Sequence, residues 1–194
     1  MTSISPRPVP PPVEGTVASG FEPVRDAFNE VVAAQPGSGA SLAAWHDGQW
    51  VASLYGGWAD SGRTRPWTPD SLVMPYSVTK PFAAVCALVL ADRGLLDLDA
   101  AMQRYWPQLR AAATVRQVLS HQAGLVVLDE PKPTELFYDW AAMCAALEQQ
   151  EPRWEPGTAH GESALFFGHL VGELVRRIDG RSLGRFLYDE VCGP

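Results

Sequence analysis

Residues 75–82 read Pro-Tyr-Ser-Val-Thr-Lys-Pro-Phe and run directly into the apolar stretch AAVCALVLAD, residues 83–92. The apolar run predicts a buried helix over residues 77–93, closed by Gly94. Pro81 fits the start of that helix, because its missing N–H is tolerated only in the first turn. A helix beginning at Ser77 places the Lys80 amine on the same face as the Ser77 hydroxyl. Partial positive charge at a helix N-terminus, together with burial, disfavours a second cation there, which leaves an amine able to take a proton. A serine beside such an amine is a workable nucleophile and base. The same residues also fit a plain reading, a capping serine followed by a surface lysine, and the spacing alone does not separate the two.

The surrounding composition narrows the classes of function. The chain has 194 residues, 46% hydrophobic and 19% charged, and a formal net charge of −7. That describes a folded chain able to bury a core. Its acidic balance, with basic residues scattered singly, argues against nucleic-acid binding. The longest apolar run is half a membrane span, and MTSISPRPVPPPVEGT lacks the apolar segment of a secretion signal. Cys86, Cys144 and Cys192 are far apart, with no Cys-x-x-Cys pair and no zinc spacing. A reducing, cytoplasmic setting without metal is expected.

Outward from Ser77 toward the N-terminus, residues 1–18 read as a Pro-rich arm of extended or PPII-like character. Helical spacing of apolar residues follows from Phe21 to Ala34. ASLAAWHDGQWVASLYGG then reads as two strands joined at Asp47–Gly48, because a tight hairpin turn needs positive φ. A lone two-stranded hairpin is not a stable layer, so further strands are expected from elsewhere. Toward the C-terminus, LLDLDAAMQRYWPQL reads as a loop and short helix stopped at Pro107. TVRQVLSHQAGL reads as a helix capped by Thr114, with Gly124 just past its end. DEPKPTE is a surface loop, residues 135–150 a helix, and RWEPGTAHGE a turn-rich loop. Residues 163–179 and 182–191 are two further helices parted at Asp179–Gly180.

Other candidates for chemistry are weaker. His169 and Glu173 stand at i and i+4, which is thin for a metal and reads as a pair on a helix surface. His46, beside the hairpin turn, reads as solvent-exposed. Cys86, in the apolar helix, reads as an inert buried thiol. Trp45, Trp50 and Trp58 read as core or strand packing, or as pocket lining.

In chain order these segments resemble the serine β-lactamase-like hydrolases, a group holding class C β-lactamases, DD-peptidases of the penicillin-binding-protein kind and Ser-x-x-Lys esterases. The residues that carry the likeness are the hairpin, Ser77-Val78-Thr79-Lys80, ADRGLLDLDAAMQRYWPQL, TVRQVLSHQAGL and WEPGTAHGESALFFGHLVGELVRRIDGRSLGRFL. They cover roughly residues 20–194 and look most like the esterase and acyltransferase branch. The resemblance implies an α+β fold, the N-terminal part of a β-lactamase/transpeptidase-like αβα sandwich with a mostly helical second region. Residues 19–94 would begin the αβα part and residues 95–194 form the helical region. Family members continue for about as long again, so the likeness is to the N-terminal half only. A C-terminal half, on a second chain or cleaved away, is therefore an expected partner.

The resemblance also assigns roles. Ser77 would attack the acyl carbonyl of a small ester or amide, Lys80 would be its base, and no cofactor is implied. One departure stands out: after Pro156-Gly157-Thr158, Glu162 falls where the family places a Tyr that moves protons. Glu162 would then act as a base toward water, or pair with Lys80 and hold it as ammonium, disabling the usual chemistry. His160 is a further proton carrier by position. The rival reading is a non-catalytic or repurposed binding protein on the same fold.

Overall fold

Asp47 and Gly48 both adopt positive φ, 47° and 77°, and so close the hairpin that the sequence predicts. The computed structural model describes residues 11–193, so the first ten residues of the Pro-rich arm and Pro194 lie outside the described residues. The chain divides into two units, the first ending at Met74 and the second beginning at Pro75.

The first unit holds strands β1 (Glu14–Val17), β2 (Gly39–His46) and β3 (Gln49–Gly57), and helix α1 (Glu22–Ala34). The sheet order is β1-β3-β2, antiparallel throughout, with β3 in the centre. The expected hairpin is thus a three-stranded sheet, and its third strand comes from within the arm read as extended. Thr16 pairs with Ser53 and Val17 with Ala52. Polar-looking residues make a strand there because a paired neighbour satisfies their backbone. Phe28 and Val32, one helical turn apart on α1, bury against Leu54 of β3. Trp45 and Trp50 do not enter this core. They meet edge to face, with centroids 4.9 Å apart, and both are more than half exposed.

The second unit is helical: α2 (Lys80–Asp92), α3 (Val115–Leu119), α4 (Trp140–Gln149), α5 (Phe167–Asp179) and α6 (Leu183–Leu187). Helix α2 packs with the helices that follow Pro75. Ala83, Cys86, Ala87 and Leu90 form its inner face and share one core with Leu170, Val171 and Leu174 of α5. Cys86 is fully buried, and burial pushes its thiol pKa up. Truncating a core residue such as Leu90 costs about 2–5 kcal/mol.

Several elements are shorter than the sequence suggests. The helix from Thr114 ends at Leu119, because His121 turns left-handed at φ 59°. Its start is as predicted: Thr114 Oγ1 accepts from the Gln117 N–H at 3.1 Å, and the Gln117 side chain accepts from the Thr114 N–H at 2.8 Å. The helix expected over 135–150 is a 3₁₀ turn (Thr134–Tyr138) followed by α4, which Asp139 caps. Beyond α6 the backbone widens into a π turn, Tyr188–Cys192.

Candidate active site

Ser77 lies just outside α2, in a 3₁₀ turn spanning Tyr76–Thr79, and α2 itself begins at Lys80. The helix therefore starts three residues later than the sequence suggests. Two features enforce this: Tyr76 holds φ 46°, and Thr79 Oγ1 donates to the Tyr76 carbonyl at 2.6 Å. A 3₁₀ turn has three residues per turn, so side chains at i and i+3 eclipse more closely than on an α-helix. Lys80 Nζ accordingly donates to Ser77 Oγ at 2.7 Å.

A third group comes from far along the chain. Lys80 Nζ also donates to Glu162 Oε1 at 3.1 Å. The lysine side chain is only 15% exposed, whereas that of Glu162 is 60% exposed. The amine thus bridges a hydroxyl and a carboxylate, with the carboxylate on the solvent side.

The loop that brings Glu162 here is tied to the 120s. Gly157 N–H donates to the Gln122 carbonyl and Gly161 N–H to that of His121, both at 3.1 Å. Ser163 N–H donates to His121 Nδ1 at 3.1 Å, and the buried Ser163 hydroxyl donates to the Leu125 carbonyl. Trp154 presses on Gly161 so closely that a Cβ there would lie 2.4 Å from the indole. The left-handed turn at His121 is what aims its imidazole at the loop. Burial lowers the His121 pKa, with Glu162 opposing and Lys80 and His160 reinforcing that shift, so His121 is set up as a neutral acceptor.

Of the residues singled out in the sequence, Ser77, Lys80 and Glu162 come together and His160 does not join them. His160 is exposed, and its side chain makes no hydrogen bond among the described residues. His46 is exposed, as expected. His169 and Glu173 are not a surface pair, since Glu173 is 2% exposed. Sequence reasoning missed His121, whose signal was only its place in LSHQAGL. Among the described residues no three His, Cys, Asp or Glu side chains gather as metal ligands would. No helix among them is long and apolar enough to cross a membrane.

Ser77 and Lys80 open onto a cavity of about 740 Å³, whose walls include Phe82, Trp140, Leu165, Phe167 and Leu187. The arrangement offers a hydroxyl and an adjacent amine on the wall of a largely apolar chamber, with the Glu162 carboxylate 3.1 Å from the amine. A hydroxyl beside an amine able to serve as its base is a nucleophile–base pair.

Comparison with known proteins gives this geometry its context. A family model described as Beta-lactamase matches residues 24–194. Esterase/beta-lactamase LipL of Mycobacterium tuberculosis is 35% identical over 189 residues, covering 94% of this chain and 43% of LipL. A solved family VIII carboxylesterase is 43% identical, with a TM-score of 0.87 over 94% of this chain and 51% of its own. A penicillin-binding protein homologue from Caulobacter crescentus is 38% identical, with a TM-score of 0.88 over 94% and 50%. The chain spans about half the length of these relatives.

Proposed function

The chain belongs to the beta-lactamase family, and from that premise we propose that it carries the nucleophile of a serine hydrolase or acyltransferase acting on a small ester or amide. The α+β, β-lactamase/transpeptidase-like fold agrees with that premise. The observation that carries the reading is the 2.7 Å contact between Lys80 Nζ and Ser77 Oγ on the wall of the apolar cavity.

In this reading Ser77 Oγ attacks the acyl carbon as its proton passes to the Lys80 amine. The bond to the leaving alcohol or amine breaks, and Lys80 returns the proton to the leaving group. Water, or an acceptor alcohol or amine in the transferase case, then attacks the acyl-serine and gives up a proton as Ser77 is restored. Glu162, 3.1 Å from Lys80, takes the ammonium proton before attack or acts as base toward the incoming water. The Ser77 N–H supplies one oxyanion donor. The domain reading is part of the proposal: an arm over 1–18, the start of the αβα part over 19–94 and a helical region over 95–194. Names of relatives such as carboxylesterase and LipL favour esters. The three free cysteines fit a reducing, cytoplasmic compartment.

The test is a fluorophosphonate probe and a p-nitrophenyl ester series on the full-length protein. Labelling and turnover that vanish in Ser77→Ala support the reading, and their absence from the unaltered protein refutes it. One observation favours a second reading, a binding protein without turnover: the Glu162 carboxylate, which the sequence register sets where the family has a Tyr, pairs with Lys80. Glu162→Gln and Glu162→Tyr distinguish the two. Loss of native turnover in Glu162→Gln makes Glu162 part of the chemistry. Activity that appears only in Glu162→Tyr marks the native site as disabled.

A further inference from the structure

The HLVGE segment, residues 169–173, has a role that neither a metal site nor a surface pair describes. His169, Gly172 and Glu173 stand at i, i+3 and i+4 on α5 and together form a socket for one indole, that of Trp140 at the start of α4. Trp140 Nε1 donates to Glu173 Oε2 at 2.9 Å. The indole stacks on His169, with centroids 4.9 Å apart and planes 33° from parallel. Its six-membered ring occupies the space a side chain at Gly172 would need, because a Cβ there would meet Cη2 at 2.6 Å.

The acceptor of the indole N–H is itself fixed. Arg176 donates to both Glu173 oxygens, at 2.7 and 2.6 Å, and Arg177 Nε donates to Oε1 at 2.8 Å. Burial lowers the His169 pKa, so a neutral ring faces the indole. Despite these restraints Trp140 remains 38% exposed, and it lines the cavity onto which Ser77 and Lys80 open. A large apolar side chain locked in place and facing an open chamber acts as a wall that excludes whatever would overlap it.

We propose that Trp140, held in the His169–Gly172–Glu173 socket, sets the size of the acyl group accepted beside Ser77. This rests on the reading of Ser77 as the acylated nucleophile. Glu173 is a positioning residue for the indole, and Trp140 is the group that touches the acyl chain.

The experiment uses the full-length protein, its Trp140→Ala and Trp140→Phe variants, and two parallel readouts. One is kcat/KM for p-nitrophenyl esters from acetate to decanoate. The other is calorimetric binding of 2-alkanones from butanone to decanone, which are ester-like in shape, cannot be hydrolysed and need no turnover. Trp140→Ala is expected to raise the decanoate-to-acetate ratio about tenfold or more, with Trp140→Phe intermediate and the ketones shifting in the same direction. Chain-length preferences unchanged in both readouts overturn the proposal, as does a uniform loss of turnover with ketone preference unchanged. An inactive protein whose ketone preference still shifts at Trp140 supports the wall and refutes only the hydrolase reading. A protein that neither turns over esters nor binds ketones overturns both. Should Trp140→Ala fail to fold, Trp140→Phe carries the test, since it keeps a ring against His169.

Discussion

Glu162 and Glu173 are carboxylates of one helical unit, each gripped by cationic side chains, and they differ in what holds them. Glu162 sits on a loop, 60% exposed, with the single amine of Lys80 at 3.1 Å. Glu173 sits inside α5, 2% exposed, and its two oxygens accept from Trp140, Arg176 and Arg177. Withdrawing a charge from water costs several kcal/mol, which only good geometry and a full set of donors offset. Glu173 meets those terms and is committed to one arrangement. Glu162 keeps much of its hydration and has a single partner, and a pair open to water on the carboxylate side contributes only about 0–1 kcal/mol to stability. The structural carboxylate is thus saturated with donors, whereas the carboxylate proposed for chemistry has one partner and open water around it.

The largest effect expected lies on the Ser77–Lys80 side of this contrast. Lys80→Ala should lower kcat about 10²–10⁴-fold on a p-nitrophenyl ester, the usual worth of a positioned general base, with the urea midpoint nearly unchanged. A large loss of stability in that variant would make the lysine structural, like the arginines around Glu173. Glu173→Ala should do the reverse and cost about 3 kcal/mol in a urea titration, because it leaves the Arg176 guanidinium and the indole N–H without their acceptor and removes one of three partners of Arg177.

The pH dependence sharpens the same comparison. The guanidinium groups of Arg176 and Arg177 and the indole N–H overcome burial and hold the Glu173 pKa at about 2, against an ordinary 4.5. A carboxyl depressed in the folded state contributes its stability above its unfolded pKa and loses it as pH falls. The urea midpoint should therefore drop between pH 4.5 and about 2, and Glu173→Gln should flatten that part of the curve. Glu162→Gln is expected to lower kcat about 10–100-fold with a stability change under about 1 kcal/mol. The smallest effect concerns His121: His121→Ala should cost about 1–2 kcal/mol by leaving the Ser163 N–H without its acceptor. His121→Asn should largely restore it, since Asn tolerates φ near 59° and offers an acceptor oxygen. With its pKa lowered by burial, His121 also predicts stability lost as pH falls through 6.5, its ordinary value.

What could be read from residue order was local. Asp47–Gly48 announces its turn because few residues accept positive φ, and Thr114 announces a helix start because its cap is closed by a residue three positions on. What could not be read depended on distant partners. Glu14–Val17 looks like part of a Pro-rich arm until Ser53 and Ala52 are beside it. Glu173 with Arg176 and Arg177 has the spacing of an exposed helix face, and only the approach of Trp140 turns it inward. Of the site itself, spacing and Pro81 put Ser77 and Lys80 on one face without separating a reactive pair from a cap and a surface lysine; the family resemblance favoured the pair and alone singled out Glu162. The 3₁₀ turn and the supporting role of His121 were not legible, since left-handed backbone at Tyr76 and His121 has no reliable mark in residue type.

The two contacts made by Lys80 also differ in how far the chain must travel to form them. Ser77 is three residues away and meets the amine whenever that one turn of backbone forms. Glu162 is 82 residues away and arrives only when the loop has docked against His121 and Trp154. Short-range contacts form early in folding, and contacts of large sequence separation form late. A newly made chain would therefore hold an assembled serine–lysine pair before it holds the carboxylate, so the nucleophile and its distant proton acceptor assemble at different times. Fluorophosphonate labelling followed during refolding would show this as reactivity at Ser77 preceding the final rate. Labelling that rises only in a single late step would show that all three groups assemble together.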